Sequence, residues 1–257
     1  MDIIPAIDLL GGQCVRLFQG DYNQVDVFDS DPVQVAFRWQ SQGAPRLHLV
    51  DLDGAKSGQP INHGAIASLV KALNIPVQVG GGLRTWQQVT DLLSLGVERA
   101  ILGTIALENP QLVQTLAAEF PGQIWVGIDA RNGFVATRGW LETSEINAID
   151  LAQQMANLGV AGIIYTDIYR DGTMQGPNID ALRQLLAVVN VPVIASGGIS
   201  SLTDILNLFP LHYSGLVGAI VGRALYTDAL SLPEAVRAVG QGRWQDVPPD
   251  LGSSAWA

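Results

Sequence analysis

Ile75-Pro76-Val77-Gln78-Val79-Gly80-Gly81-Gly82 is answered 116 residues later by Val191-Pro192-Val193-Ile194-Ala195-Ser196-Gly197-Gly198. Each stretch is an apolar, β-branched run that closes on a glycine turn, which predicts a buried strand ending in backbone free to adopt unusual angles. Working outward, Val50-Asp51-Leu52-Asp53-Gly54, with Gly58, Pro60 and Asn62, matches Thr166-Asp167-Ile168-Tyr169-Arg170-Asp171-Gly172, with Gly176, Pro177 and Asn178. Ile4-Pro5-Ala6-Ile7-Asp8-Leu9-Leu10-Gly11-Gly12 matches Trp125-Val126-Gly127-Ile128-Asp129-Ala130-Arg131-Asn132-Gly133, and Gly103-Thr104 matches Gly222-Arg223. The order is the same in both copies. Solenoid units run about 20 to 50 residues, so a period near 120 predicts instead a half-domain written twice, about 1–121 and 122–242, that closes on its twin.

Apolar runs recur near 2–8, 46–51, 75–79, 99–102, 123–129, 162–166, 191–195 and 216–221. They are too continuously apolar for half-exposed antiparallel strands and suit parallel strands buried on both faces. Helical spacing fills Pro32 to Gln42, Gly64 to Leu73, Thr85 to Leu95, Pro110 to Glu119, Ala148 to Leu158 and Ile179 to Val189. Asn109-Pro110 supplies a start signal, while Gly43, Gly96 and Gly159 supply stops. Eight strand-helix alternations predict an α/β fold, a (β/α)8 TIM barrel with a twofold half-barrel repeat, over a doubly wound open sheet. The stretch 243–257, with Pro248-Pro249 and Gly252-Ser253-Ser254, breaks every period and is expected to be a flexible extension.

The 257 residues, 48% of them hydrophobic, suffice for one large core. No signal-peptide pattern and no run of about 18 apolar residues occurs, so a cytoplasmic protein without membrane association is expected. Cys14 is the sole cysteine, and His63 and His212 lack ligand spacing, so neither a disulfide nor a metal site is expected. A formal net charge of −10 argues against nucleic acid. It leaves a small anion open, because glycine turns bind phosphate through local backbone dipoles.

In such a barrel the chemistry sits at the carboxyl ends of the strands. Asp8 closes the first run and Asp129 the fifth, so the two carboxylates are expected to face each other across the mouth. Each could instead cap its own turn. Two in equivalent places favour one general base and one general acid. Gly80-Gly81-Gly82 with Gly103-Thr104 would form one anion cradle, and Ser196-Gly197-Gly198 with Gly222-Arg223 the second. The ligand expected is a small molecule with a phosphate at each end.

Ile4-Pro5-Ala6-Ile7-Asp8-Leu9, Cys14-Val15-Arg16-Leu17, Gln19-Gly20-Asp21-Tyr22, Gly80-Gly81-Gly82-Leu83-Arg84, Arg138-Gly139-Trp140, Thr166-Asp167-Ile168, Arg170-Asp171-Gly172-Thr173 and Ala195-Ser196-Gly197-Gly198-Ile199 together resemble the ProFAR isomerase family of histidine biosynthesis, over about residues 1 to 240. The resemblance implies an Amadori rearrangement of an aminoaldose to an aminoketose without metal or organic cofactor, and a monomer is expected. It implies Asp8 as general base and Asp129 as general acid. It places Thr166 and Asp171 near the ribose, Gly172 with the phosphate glycines, His48 and Asp51 in the supporting shell, and Trp140 on a loop over the substrate. Arg16 and Arg84 are expected to clamp the ligand. His48 could equally be a core histidine, and Trp140 could be packing beneath its loop. The sister cyclase of the same pathway is disfavoured, since Ala6-Ile7-Asp8 and Val15-Arg16-Leu17 lack its Cys and Lys. An isomerase acting also on phosphoribosylanthranilate, with Arg16 and Arg138 holding a carboxylate, stays open. A non-catalytic sugar-bisphosphate binder is the third alternative, and the two carboxylates that would repel its ligand argue against it.

Overall fold

The apolar runs become the staves of a closed ring. The computed structural model describes residues 1–240, so the extension expected at 243–257 lies outside the described residues. The strands are β1 (Asp2–Leu10), β2 (Gln13–Phe18), β3 (Asp21–Asp29), β4 (Leu47–Asp51), β5 (Val77–Gly80), β6 (Arg99–Leu102), β7 (Ile124–Arg131), β8 (Phe134–Thr137), β9 (Glu142–Asn147), β10 (Gly162–Asp167), β11 (Val193–Ser196) and β12 (Leu216–Val221). Parallel pairing runs β10-β11-β12-β1-β4-β5-β6-β7, and β7 pairs β10 to close the circuit. The eight expected strands are these eight. The open sheet is thereby excluded, because it would leave two unpaired edges.

Alternation along each strand sorts side chains between two cores. Ile4, Ala6, Ile101, Trp125, Ile164, Ile194 and Ile220 fill the barrel interior. Ile3, Ile7, Leu9, Leu49, Val79, Val126, Ile163 and Val193 point outward into a larger core shared with the helices. Those helices begin where the sequence can satisfy their free N–H groups. Asp31 caps Pro32–Ser41 through Val33 and Gln34, and Asn109 caps Pro110–Glu119 through Leu112. Thr85 with Gln88 and Ser201 with Asp204 form capping boxes at the starts of Trp86–Ser94 and Leu202–Leu208. Leu182, Leu185 and Leu186 bury the inner stripe of Ile179–Leu186. Among the described residues no helix is long and apolar enough to cross a membrane.

Two antiparallel hairpins were not expected: β2–β3 grows from β1, and β8–β9 grows from β7. No residue of β3 or β9 is buried, so neither carries the apolar run by which a strand announces itself in sequence. Both hairpins rise at the end of the barrel that holds the cavity, and they do so in matching positions of the two halves.

Candidate active site

Strands that converge at their carboxyl ends leave a cavity of about 200 Å³ there. Asp8 and Asp129 both line it. They come from β1 and β7, which are separated by three strands on either side of the ring, so the carboxylates face each other across its mouth. Each lies within its strand rather than at its end, two residues before Leu10 and Arg131 respectively. Neither accepts a bond from a backbone N–H among the described residues, so the turn-capping role is not the one they take. Asp8 Oδ2 accepts from Arg16 Nη1 at 2.7 Å, and Asp129 Oδ2 accepts from Trp140 Nε1 at 2.7 Å.

Of the other expected residues, Arg16, His48, Arg84, Trp140, Thr166, Asp171 and Gly172 line the cavity, as do Gly81, Gly82, Gly103, Thr104, Gly197, Gly198, Gly222 and Arg223. Asp51 does not. It is buried at 1% exposure, and its oxygens accept from the backbone N–H of Gly54, Ile61 and Asn62 and from the Asn62 side chain. Asp51 therefore ties the loop after β4. Asp167 does similar work after β10, accepting from Tyr169 N and Asn178 Nδ2.

The two glycine cradles match in geometry. Gly81 and Gly82 have φ of 107° and 78°, and Gly197 and Gly198 have 96° and 79°. A Cβ on Gly81 would strike the backbone of Asp51, and one on Gly197 would strike that of Asp167. Only glycine fits where two loops cross this closely. Gly103 (φ −103°, ψ −102°) and Gly222 (φ −106°, ψ −106°) share one backbone shape, each opening a short helix, Thr104–Glu108 and Arg223–Tyr226. Each cradle is also bonded to a hairpin. Thr104 Oγ1 accepts from Arg138 N at 2.9 Å, and Arg223 Nη2 donates to Asp26 Oδ2 at 2.6 Å.

Charge in the cavity differs from charge on the whole chain. Arg16, Arg84, Arg138 and Arg223 meet Asp8, Asp129 and Asp171 there. Burial raises the Asp8 carboxyl above its usual 3.8, against the pull of Arg16. It raises Asp129 too, opposed by hydrogen bonds from Trp140 and Thr166. Asp171 is pushed up to about 7, chiefly by burial and further by Asp8 and Asp129, with Arg16 and Arg223 opposing. Four guanidinium groups lining one cavity suit a phosphorylated ligand.

Arg16 does not stand free as a clamp. Nη2 donates to the Ala6 carbonyl, and the guanidinium lies 5.2 Å over the Tyr226 ring. Tyr226, whose hydroxyl donates to the same carbonyl, sits against Trp39 and Phe28. Sequence reasoning missed this support, since an aromatic in a four-residue helix carries no periodic signal. Tyr22 on β3, quoted in the family resemblance without a role, also lines the cavity.

Trp140 sits on a left-handed turn in which Arg138, Gly139 and Trp140 have φ of 55°, 66° and 68°. Two non-glycine residues there cost roughly 1–2 kcal/mol each. The turn is held by the Arg138–Thr104 and Trp140–Asp129 bonds and by Arg131 Nη2 donating to Trp140 O at 3.1 Å. The indole ring packs on Gly20, where a Cβ would overlap it. The two hairpins thus meet above the cavity. Among the described residues no cluster of His, Cys, Asp and Glu could hold a metal ion.

The profile of the family described as "Histidine biosynthesis protein" matches residues 2–231. A protein of Thermosynechococcus vestitus is 71% identical over 257 residues, covering 100% of both chains. One of Gloeothece citriformis is 70% identical over 257 residues, again covering 100% of both, and one of Synechocystis is 68% identical over 249 residues, covering 97% of each. All three are named 1-(5-phosphoribosyl)-5-((5-phosphoribosylamino)methylideneamino) imidazole-4-carboxamide isomerase.

Proposed function

The chain belongs to the histidine biosynthesis protein family, and on that footing we propose that it carries out the isomerisation its relatives are named for, the Amadori rearrangement of ProFAR to its aminoketose. The observation that carries the mechanism is the pair of carboxylates delivered by opposed strands into one cavity flanked by twin glycine cradles. Each cradle takes one phosphate of the substrate, which stretches the ribose between Asp8 and Asp129.

Asp129 is the general acid. It protonates the ribose ring oxygen as the C1–O bond breaks, and the nitrogen lone pair forms the C1=N bond of the Schiff base. A carboxyl raised by burial keeps its proton to higher pH than a free one and so suits that step. Asp8 is the general base. It takes the proton from C2, the C–H pair becomes the C1=C2 bond, and the C1=N pair returns to nitrogen. The enol then loses its O–H proton while C1 gains one, so substrate and product have the same composition. Arg16 favours the ionised form of Asp8, opposing burial, and burial makes that form a stronger base than an exposed carboxylate. The scheme uses no metal or organic cofactor.

The test is a steady-state assay of chelator-treated protein on ProFAR and, separately, on phosphoribosylanthranilate. Turnover of ProFAR alone supports the proposal. Turnover of both widens it to a dual-specificity isomerase, and turnover of neither overturns it and directs the next assay to the ketose with ammonia.

A further inference from the structure

His48 is a cavity residue whose proton is fixed by groups lying below the cavity. It stands on β4 beside Ala6 of β1, one inward position beneath Asp8. Its Nδ1 lies 3.0 Å from Nε2 of Gln78 on β5. Gln78 is wholly buried, and its Oε1 accepts from Arg99 Nη1 on β6 at 3.4 Å. Arg99 is anchored in turn, its guanidinium 4.3 Å over the Trp125 ring.

Donor and acceptor rules settle the rest. A guanidinium has only donors, so the Gln78 oxygen must face Arg99 and its NH2 must face His48. That NH2 donates to Nδ1, which must then be bare, and the single proton of the neutral ring sits on Nε2. Protonating Nδ1 would set N–H against N–H in the barrel interior. Burial, with Arg16 nearby, also pushes the imidazole down to about 3, so the ring is neutral near pH 7. His48 lines the cavity, and Nε2 neither makes a hydrogen bond among the described residues nor is sealed away from the space.

We propose that Gln78 and Arg99 are positioning residues that lock His48 as a neutral Nε2–H donor, and that His48 gives this hydrogen bond to the substrate oxygen on C2. The second half of the proposal rests on the isomerase reading above. C2 carries both the hydrogen that Asp8 removes and the oxygen that turns from hydroxyl to carbonyl, and base and donor come from neighbouring strands at successive inward positions. Negative charge grows on that oxygen as the enol loses its proton. A pre-oriented N–H stabilises it with no net transfer of the imidazole proton.

The lock is tested without substrate. Long-range 1H–15N spectra of the labelled protein at pH 7, with His48→Gln to identify the signal among the three histidines, should show His48 protonated at Nε2 alone. A proton on Nδ1, or on both nitrogens, overturns the proposal. The donor role is tested by kinetics. His48→Leu should lower kcat by about 10²-fold with KM little changed, the scale for losing one such donor. His48→Gln, which keeps an N–H, should recover part of the loss. Gln78→Glu should move the proton to Nδ1 in the spectrum and lower kcat in step. Unchanged kcat in His48→Leu, or a rise in KM alone, overturns the donor role. If the wild-type protein does not turn over ProFAR, the isomerase reading fails and takes the donor role with it, while the spectrum still decides the lock.

Discussion

At the scale of the residue, Asp171 makes a claim that needs no substrate. Its folded pKa of about 7 lies above the usual 3.8, mainly through burial. The protonated form is therefore favoured by folding. Its contribution is fully present below pH 3.8 and is lost as pH rises through 7. Asp171→Asn should be more stable than wild type above pH 7, on the order of 2–3 kcal/mol after allowing for partial exposure, and the gap should close as pH falls toward 4. Urea unfolding at several pH values checks this, and a gap independent of pH would refute it. Alternation explains which aspartates were legible as site residues. Asp8, Asp129 and Thr166 share inward parity with Ile4, Trp125 and Ile164 of their own strands. Asp51 has the opposite parity to His48 on β4, so its outward, loop-tying role was readable from spacing two. The resemblance had drawn it into the site instead.

At the scale of the element, the eight barrel strands and the long helices were legible because buried parallel strands and amphipathic helices leave contiguous or periodic apolar residues. The Pro110–Glu119 helix is found where its cap and spacing put it. The hairpins and the short helices Leu52–Ser57, Thr104–Glu108 and Arg223–Tyr226 were not legible, since their positions are set by contacts from distant segments, such as Asp26 with Arg223. The hairpins matter most at Gly20, which has φ of 75° and lies under the Trp140 ring. Gly20→Ala forces the two apart and with them the indole from Asp129. It should lower kcat/KM for ProFAR by about tenfold or more, as expected when a lid loses its seat. An unchanged kcat/KM would show that the contact plays no part in turnover.

At the scale of the whole molecule, ring closure is what turns two strands remote in sequence into the two sides of one site. The seam between β7 and β10 depends on Gly162, where a Cβ would overlap the Trp125 ring. Gly162→Ala should lower the urea midpoint by the equivalent of about 1–3 kcal/mol with the slope unchanged; an unshifted midpoint would contradict this packing. Glycine cradles, capping boxes and hairpins recur in the same order along the chain. The opposed carboxylates have unlike partners, Arg16 for Asp8 and Trp140 for Asp129, and the proposed mechanism gives them unlike roles. The most direct test is single-turnover conversion of ProFAR by Asp8→Asn, with substrate binding measured on the same protein. Binding kept and conversion slowed by about 10²-fold or more is the expected result; conversion at the wild-type rate would contradict the account.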